Sequence, residues 1–156
     1  TGQEEGTCQV MITDTPPGYA YEPVCPGFSW SNHTSLTFVV LTCDGPHVLL
    51  SAGATDLDPV VYEIVLGLDG QSLIRTEKQS PSRVAVKSHG ANITNCDDVA
   101  AFYVSWSEGL LQVGKAVETS WGFRWMSPFL TYQGNETFVV NSVHVSAFTN
   151  RAVWGF

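Results

Sequence analysis

Charge is scarce in this chain. Only 14% of its residues are charged, against roughly 25% in an average soluble domain. Seven Lys and Arg stand against fifteen Asp and Glu, for a net charge of −8. Nucleic acid and anionic membrane surfaces both demand clustered cations, so neither is expected as a partner. Long apolar runs are missing too. The longest, near Leu36-Thr-Phe-Val-Val-Leu41, falls far short of the roughly 20 residues of a membrane-spanning helix, so no membrane insertion is expected. The sequence has no C-x-x-C, no H-E-x-x-H and no G-x-S-x-G. These absences argue against a zinc or thioredoxin site, a metalloprotease helix and a serine-hydrolase elbow. A sustained helical period and internal repeats are also lacking. There is neither a signal peptide nor an initiator Met, so Thr1 reads as the start of a mature chain or of an excised domain.

What is present reads as strands. Leu36, Phe38 and Val40 alternate with Thr37, Val39 and Leu41, so both faces are apolar. Val60, Tyr62, Ile64 and Leu66 alternate in the same way, as do Phe102, Val104 and Trp106, and Val143, Val145 and Ala147. A period of two with β-branched and aromatic enrichment marks strands. Turn signals separate them at Asp44-Gly-Pro46, Leu68-Asp-Gly70, Glu108-Gly109 and Gln133-Gly-Asn135. The expected fold is all-β, an antiparallel, jelly-roll-like sandwich over residues 28–156. Residues 1–27, with Pro16, Pro17, Pro23 and Pro26, read as an extended N-terminal arm. Within it, Cys8-Gln-Val-Met-Ile12 reads as one strand. A disulfide or a neighbouring subunit is expected to hold such an arm.

Four cysteines allow three pairings. Cys8–Cys25, closing a loop around Pro16-Pro17, and Cys43–Cys96, tying an early strand to a mid-chain loop, are the pairs expected. Three N-x-S/T sequons, at Asn32, Asn92 and Asn135, lie in turn-like stretches suited to glycosylation. Paired cysteines and sequons together point to an extracellular, secreted glycoprotein.

Each remaining candidate for chemistry has a plainer reading beside it. Asp56-Leu-Asp58 and Asp97-Asp98 offer carboxylates of the kind calcium takes from loops, or simple solvated turns. Apart from that candidate calcium, no cofactor is expected. His33, His47, His89 and His144 show no metal-ligand spacing, and His144, among strand valines, reads as a surface or satisfied core residue. Glu63 is placed to pair with Arg75 across a hairpin. Trp121-Gly-Phe-Arg-Trp125 is a candidate glycan platform, with Trp121, Arg124 and Trp125 as its contact residues, because sugar rings stack on aromatic faces. Core packing is the preferred reading for Trp106, and also, more narrowly, for Trp125.

Two stretches carry a family resemblance: Val61-Tyr-Glu-Ile-Val-Leu-Gly67, followed by Gln71-Ser-Leu-Ile-Arg75, and Phe102-Tyr-Val-Ser-Trp-Ser-Glu-Gly-Leu-Leu-Gln-Val-Gly114. Together they resemble the farnesoic acid O-methyltransferase-type domain, over about residues 28–156. Trp125, Pro128, Tyr132, Gly134 and the ending Trp154-Gly-Phe156 are similar to that family as well. The resemblance implies a module of extracellular, multidomain proteins used for recognition or adhesion. Its name implies methyl transfer, but no Gly-rich strand-to-helix loop of the common methyltransferase kind is present.

The expectation is therefore a non-catalytic secreted module for assembly or adhesion. In the first version it self-associates with other chains through its arm, as a filament-type structural subunit, by adding a strand to a neighbour. A lectin-like glycan-binding module is the alternative, and an enzyme comes last.

Overall fold

The computed structural model describes residue 8 and residues 12–90 and 93–156. Among these residues it has twelve strands. They are β1 (Ile12–Thr15), β2 (Glu22–Pro23), β3 (Ser35–Leu41), β4 (His47–Ser51), β5 (Val61–Leu68) and β6 (Gln71–Arg75). After these come β7 (Val84–His89), β8 (Ala100–Ser105), β9 (Leu110–Thr119), β10 (Gly122–Gln133), β11 (Ser142–Ser146) and β12 (Ala152–Gly155). Among the described residues the helical turns are three short 3-10 segments, and no helix is long and apolar enough to cross a membrane.

The strands form an antiparallel sandwich. The first sheet runs β1-β12-β3-β8-β9-β10 and the second β2-β11-β4-β5-β6-β7. The chain changes sheet after β1, β2, β3, β7, β10 and β11, so strands distant in sequence become neighbours. Inward side chains fill the space between the sheets. Leu36, Phe38, Val40, Phe102, Val104, Leu111, Val113, Leu130 and Trp154 come from the first sheet, and Val48, Leu50, Ile64, Leu66, Ile74, Val143 and Val145 from the second. Each such side chain contributes about 1.5–3 kcal/mol on burial. Trp106 is part of this core, as its alternation implies.

The second sheet is buried on its outer face as well. His47, Leu49, Ser51, Glu63, Val65, His144 and Ser146 are all buried there. The loop between β1 and β2 lies over it through Tyr19 and Tyr21, and the loop between β6 and β7 through Gln79. This accounts for the unbroken burial of β5 from Val61 to Leu66, Glu63 included: both of its faces are covered.

Segments 12–15 and 22–23 of the N-terminal stretch are edge strands, β1 on β12 and β2 on β11. Residues 9–11 of the strand expected over Cys8–Ile12 lie outside the described residues. The expected disulfides are both present, Cys8–Cys25 and Cys43–Cys96. Register places them at opposite ends of the sandwich. Cys43 follows β3 at the end that also carries the β5–β6 turn and the tip of the β9–β10 hairpin. Cys25 follows β2 near Val143, at the other end.

Candidate functional site

The longest pair of strands is β9 and β10. The register of β8 on β9 ends at Phe102–Lys115, whereas β9 and β10 continue to Thr119–Gly122. The hairpin therefore projects past its neighbour. Its turn is Ser120-Trp121. Thr119 Oγ1 accepts the Trp121 N–H at 3.2 Å and donates to the Gly122 carbonyl at 2.7 Å. Gly122 has φ +118°, a backbone state suited to glycine. Trp121 stands at this tip, 97% exposed.

Phe123 and Trp125 alternate on one face of β10, the outer face of the first sheet. Both are nearly half exposed, at 45% and 44%. The core reading of Trp125 is thus corrected: it packs on the outside. Its indole stacks on Tyr103, centroids 4.3 Å apart and planes 9° from parallel. The indole Nε1 donates to Thr37 Oγ1 at 3.0 Å. Tyr103 is itself buried beneath the indole, and its hydroxyl donates to the Met126 carbonyl at 2.7 Å. Burial raises the Tyr103 pKa, so the phenol stays a neutral donor. Gly114 leaves the room for this ring, since a Cβ there would lie 2.6 Å from the phenol. The indole is thus held by Tyr103 beneath it and by Thr37 at its edge, and it stays nearly half exposed.

Arg124 does not join this face. Alternation turns it to the opposite side of β10, where its Nη2 lies 3.7 Å from Met126 Sδ. Met126 there lines a cleft of about 320 Å³ between β7 and β10, with Ser88, Ile93, Lys115 and Phe129. Of the sequence-derived trio, Trp121 and Trp125 belong to one hairpin while Arg124 points away from the platform. Phe123 lay within the platform stretch without being singled out as a contact residue, while Tyr103, Thr37 and Gly114 escaped the sequence reading of the site. The one signal for them was Gly114 itself, a glycine inside a strand, which marks a close approach.

The other candidates fall elsewhere. Asp56 pairs with Lys78, and Asp58 accepts the Val60 N–H. The Asn95 side-chain carbonyl accepts the backbone N–H groups of Asp97 and Asp98, so both acids sit in a turn capped by Asn95. The two acidic pairs occupy opposite ends of the sandwich, so the structure does not unite them. Among the described residues no group of three or more His, Cys, Asp and Glu is placed to hold a metal. His144 is buried, with Nε2 on Ser142 Oγ and Nδ1 unpartnered. Asn32 and Asn135 are exposed, and Asn92 lies outside the described residues.

Glu63 is fully buried and meets four donors. Arg75 Nη1 lies at 2.8 Å, Tyr21 OH at 2.6 Å, the Gln79 N–H at 3.0 Å, and Tyr19 OH completes the set. The pairing expected with Arg75 is present. Burial pushes this carboxyl up, but the hydrogen bonds of Tyr19, Tyr21, Gln79 and Arg75 prevail and hold it below its ordinary value. A carboxylate so occupied is a structural anchor, poorly placed to move protons.

A profile of the family described as farnesoic acid O-methyl transferase matches residues 16–156. No match was found among curated proteins. Among solved structures, the carbohydrate binding module CBM66 from Bacillus subtilis is similar, with a TM-score of 0.53 at 8% identity. The likeness covers 97% of this chain and 80% of that one, and at such identity it speaks for the shared fold alone.

Proposed function

The chain belongs to the farnesoic acid O-methyl transferase family, and from that premise we propose that it is a secreted, non-catalytic glycan-binding module whose ligand stacks on Trp125. The observation that carries this reading is the nearly half-exposed indole, stacked on Tyr103 on one face and held by Thr37 at its edge. A rigid, half-exposed ring suits the C–H face of a sugar. It is ordered before the ligand arrives, so little further entropy is lost on binding. Phe123, about 6–7 Å along the same strand face, and Trp121 at the tip extend the contact. The likeness of the fold to a carbohydrate binding module supports this reading, as do the two disulfides and the exposed sequons for secretion.

The family name points to methyl transfer, which we place behind glycan binding. The common methyltransferases seat their nucleotide-like cofactor at a strand-to-helix turn, and the helical turns described here are three-residue 3-10 segments. Self-association through residues 1–27 also stands behind it, because β1 is already paired with β12 of its own chain.

Replacing Trp125 tests the proposal directly. Trp125→Ala is expected to weaken binding to glycans captured on a broad array by about 2 kcal/mol, the size of a buried hot-spot truncation. Its melting temperature should stay near that of the parent, since the indole lies outside the core. Undiminished glycan binding by the folded variant would rule the platform out.

A further inference from the structure

The charges around the platform are unevenly placed, and this bears on which glycan it takes. The argument rests on the glycan reading above and narrows it. Among outward-facing strand residues of the first sheet, the ionised side chains are Asp14 and Glu118. Asp14 is neutralised by Arg151. Glu118 lies directly across from Phe123 on the platform's own face, where facing side chains approach to about 5 Å. It is exposed and has no ion-pair partner among the described residues. The nearest cations on this hairpin, Lys115 and Arg124, are on its other side, toward the cleft with Met126. The whole chain adds a net charge of −8.

We infer that the Trp125 face selects neutral glycan chains and rejects those bearing carboxylate or sulfate. Stacking on the indole requires only an apolar sugar face and is indifferent to charge. An acidic substituent carried onto this face would meet Glu118 without any guanidinium or ammonium to receive it, inside a field that is negative overall. The open geometry adds that the ligand need not end there, because Trp125 and Phe123 lie on an exposed sheet surface.

The test uses the full chain. Cello- and chito-oligosaccharides are titrated by tryptophan fluorescence against their sulfated forms and against oligogalacturonate, alongside an array of neutral and acidic glycans. Each is run at low salt and at roughly 1 M, where the Debye length is about 3 Å. The expected result is neutral binding that ignores salt, with acidic binding several-fold weaker at low salt. That gap should narrow at high salt and in Glu118→Lys. Acidic glycans bound as well as neutral ones, or better, at low salt would overturn the selectivity while leaving the platform reading intact. A panel with no binding of either kind would overturn the platform reading, and this inference with it.

Discussion

Glu63 shows how much one side chain organises. A carboxylate without solvent is costly unless its oxygens are fully used, and here both are taken. Tyr19 and Tyr21 come from the loop after β1, Gln79 from the loop after β6, and Arg75 from the adjacent strand. Glu63→Ala would strand the Arg75 cation and two phenols, and is expected to cost about 3–5 kcal/mol in denaturant unfolding. The same groups set the response to acid. Hydrogen bonding depresses the folded pKa of Glu63 below 4.5, so its contribution is present above 4.5 and is lost as pH falls through the folded value. Burial depresses His47 and His144 below 6.5. Both fold neutral, so the unfolded chain binds protons first and stability declines as pH drops below 6.5. Urea midpoints should therefore be level above neutrality and fall in two stages on acidification. The first stage should be reduced in the His47→Gln, His144→Gln double variant. A midpoint unchanged between about pH 7 and pH 5 would contradict the assignment.

At the level of the element, the β9–β10 hairpin joins the proposed recognition face to packing through one glycine. The ring of Tyr103 occupies the place a Cβ would take on Gly114. Gly114→Ala therefore has to move Tyr103, and Trp125 with it. Overpacking of this kind costs about 1–3 kcal/mol. The more telling readout is the indole: acrylamide quenching of Trp125 should rise and glycan binding should fall, while the rest of the sandwich stays folded. Quenching and affinity equal to the parent would mean the stacked pair is not what the ligand uses. The alternation of β3, β5, β8 and β11 was legible in the sequence, and so was the pairing of Glu63 with Arg75. The environment of Trp125 was not. A period of two says that Phe123 and Trp125 share a face, but not whether anything covers that face. In the second sheet loops close the outer side over His47, Leu49 and Glu63, while in the first sheet the outer side around Trp125 is open. The difference arises from loops distant in sequence, and no local pattern encodes it. Arg124 was grouped with the tryptophans by proximity along the chain, yet the same alternation sends it to the opposite side.

For the whole molecule, the sandwich separates two of its sequons, Asn32 and Asn135, from its proposed sugar-binding face. Asn32 precedes β3 and Asn135 follows β10, so both lie at the end opposite the hairpin tip. Both are exposed, and the Asn135 side-chain Oδ1 accepts from the N–H and hydroxyl of Thr137, a compact turn that holds its sequon at the surface. Local sequence marked these sequons as turns, but only the registers of β3 and β10 show that they share an end. Material passed through a secretory pathway is expected to exceed the 17.0 kDa of the bare chain and to return to that mass after enzymatic release of its glycans. In an Asn92→Gln background, affinity for a bound neutral oligosaccharide should be the same before and after release, because chains rooted at Asn32 and Asn135 would extend from the far end. Variants with Asn32→Gln and Asn135→Gln separate their contribution from that of Asn92, the sequon between β7 and β8. If affinity rises when those two are removed, the attached chains reach the platform, and the two ends of the sandwich are not the independent surfaces that the strand registers imply.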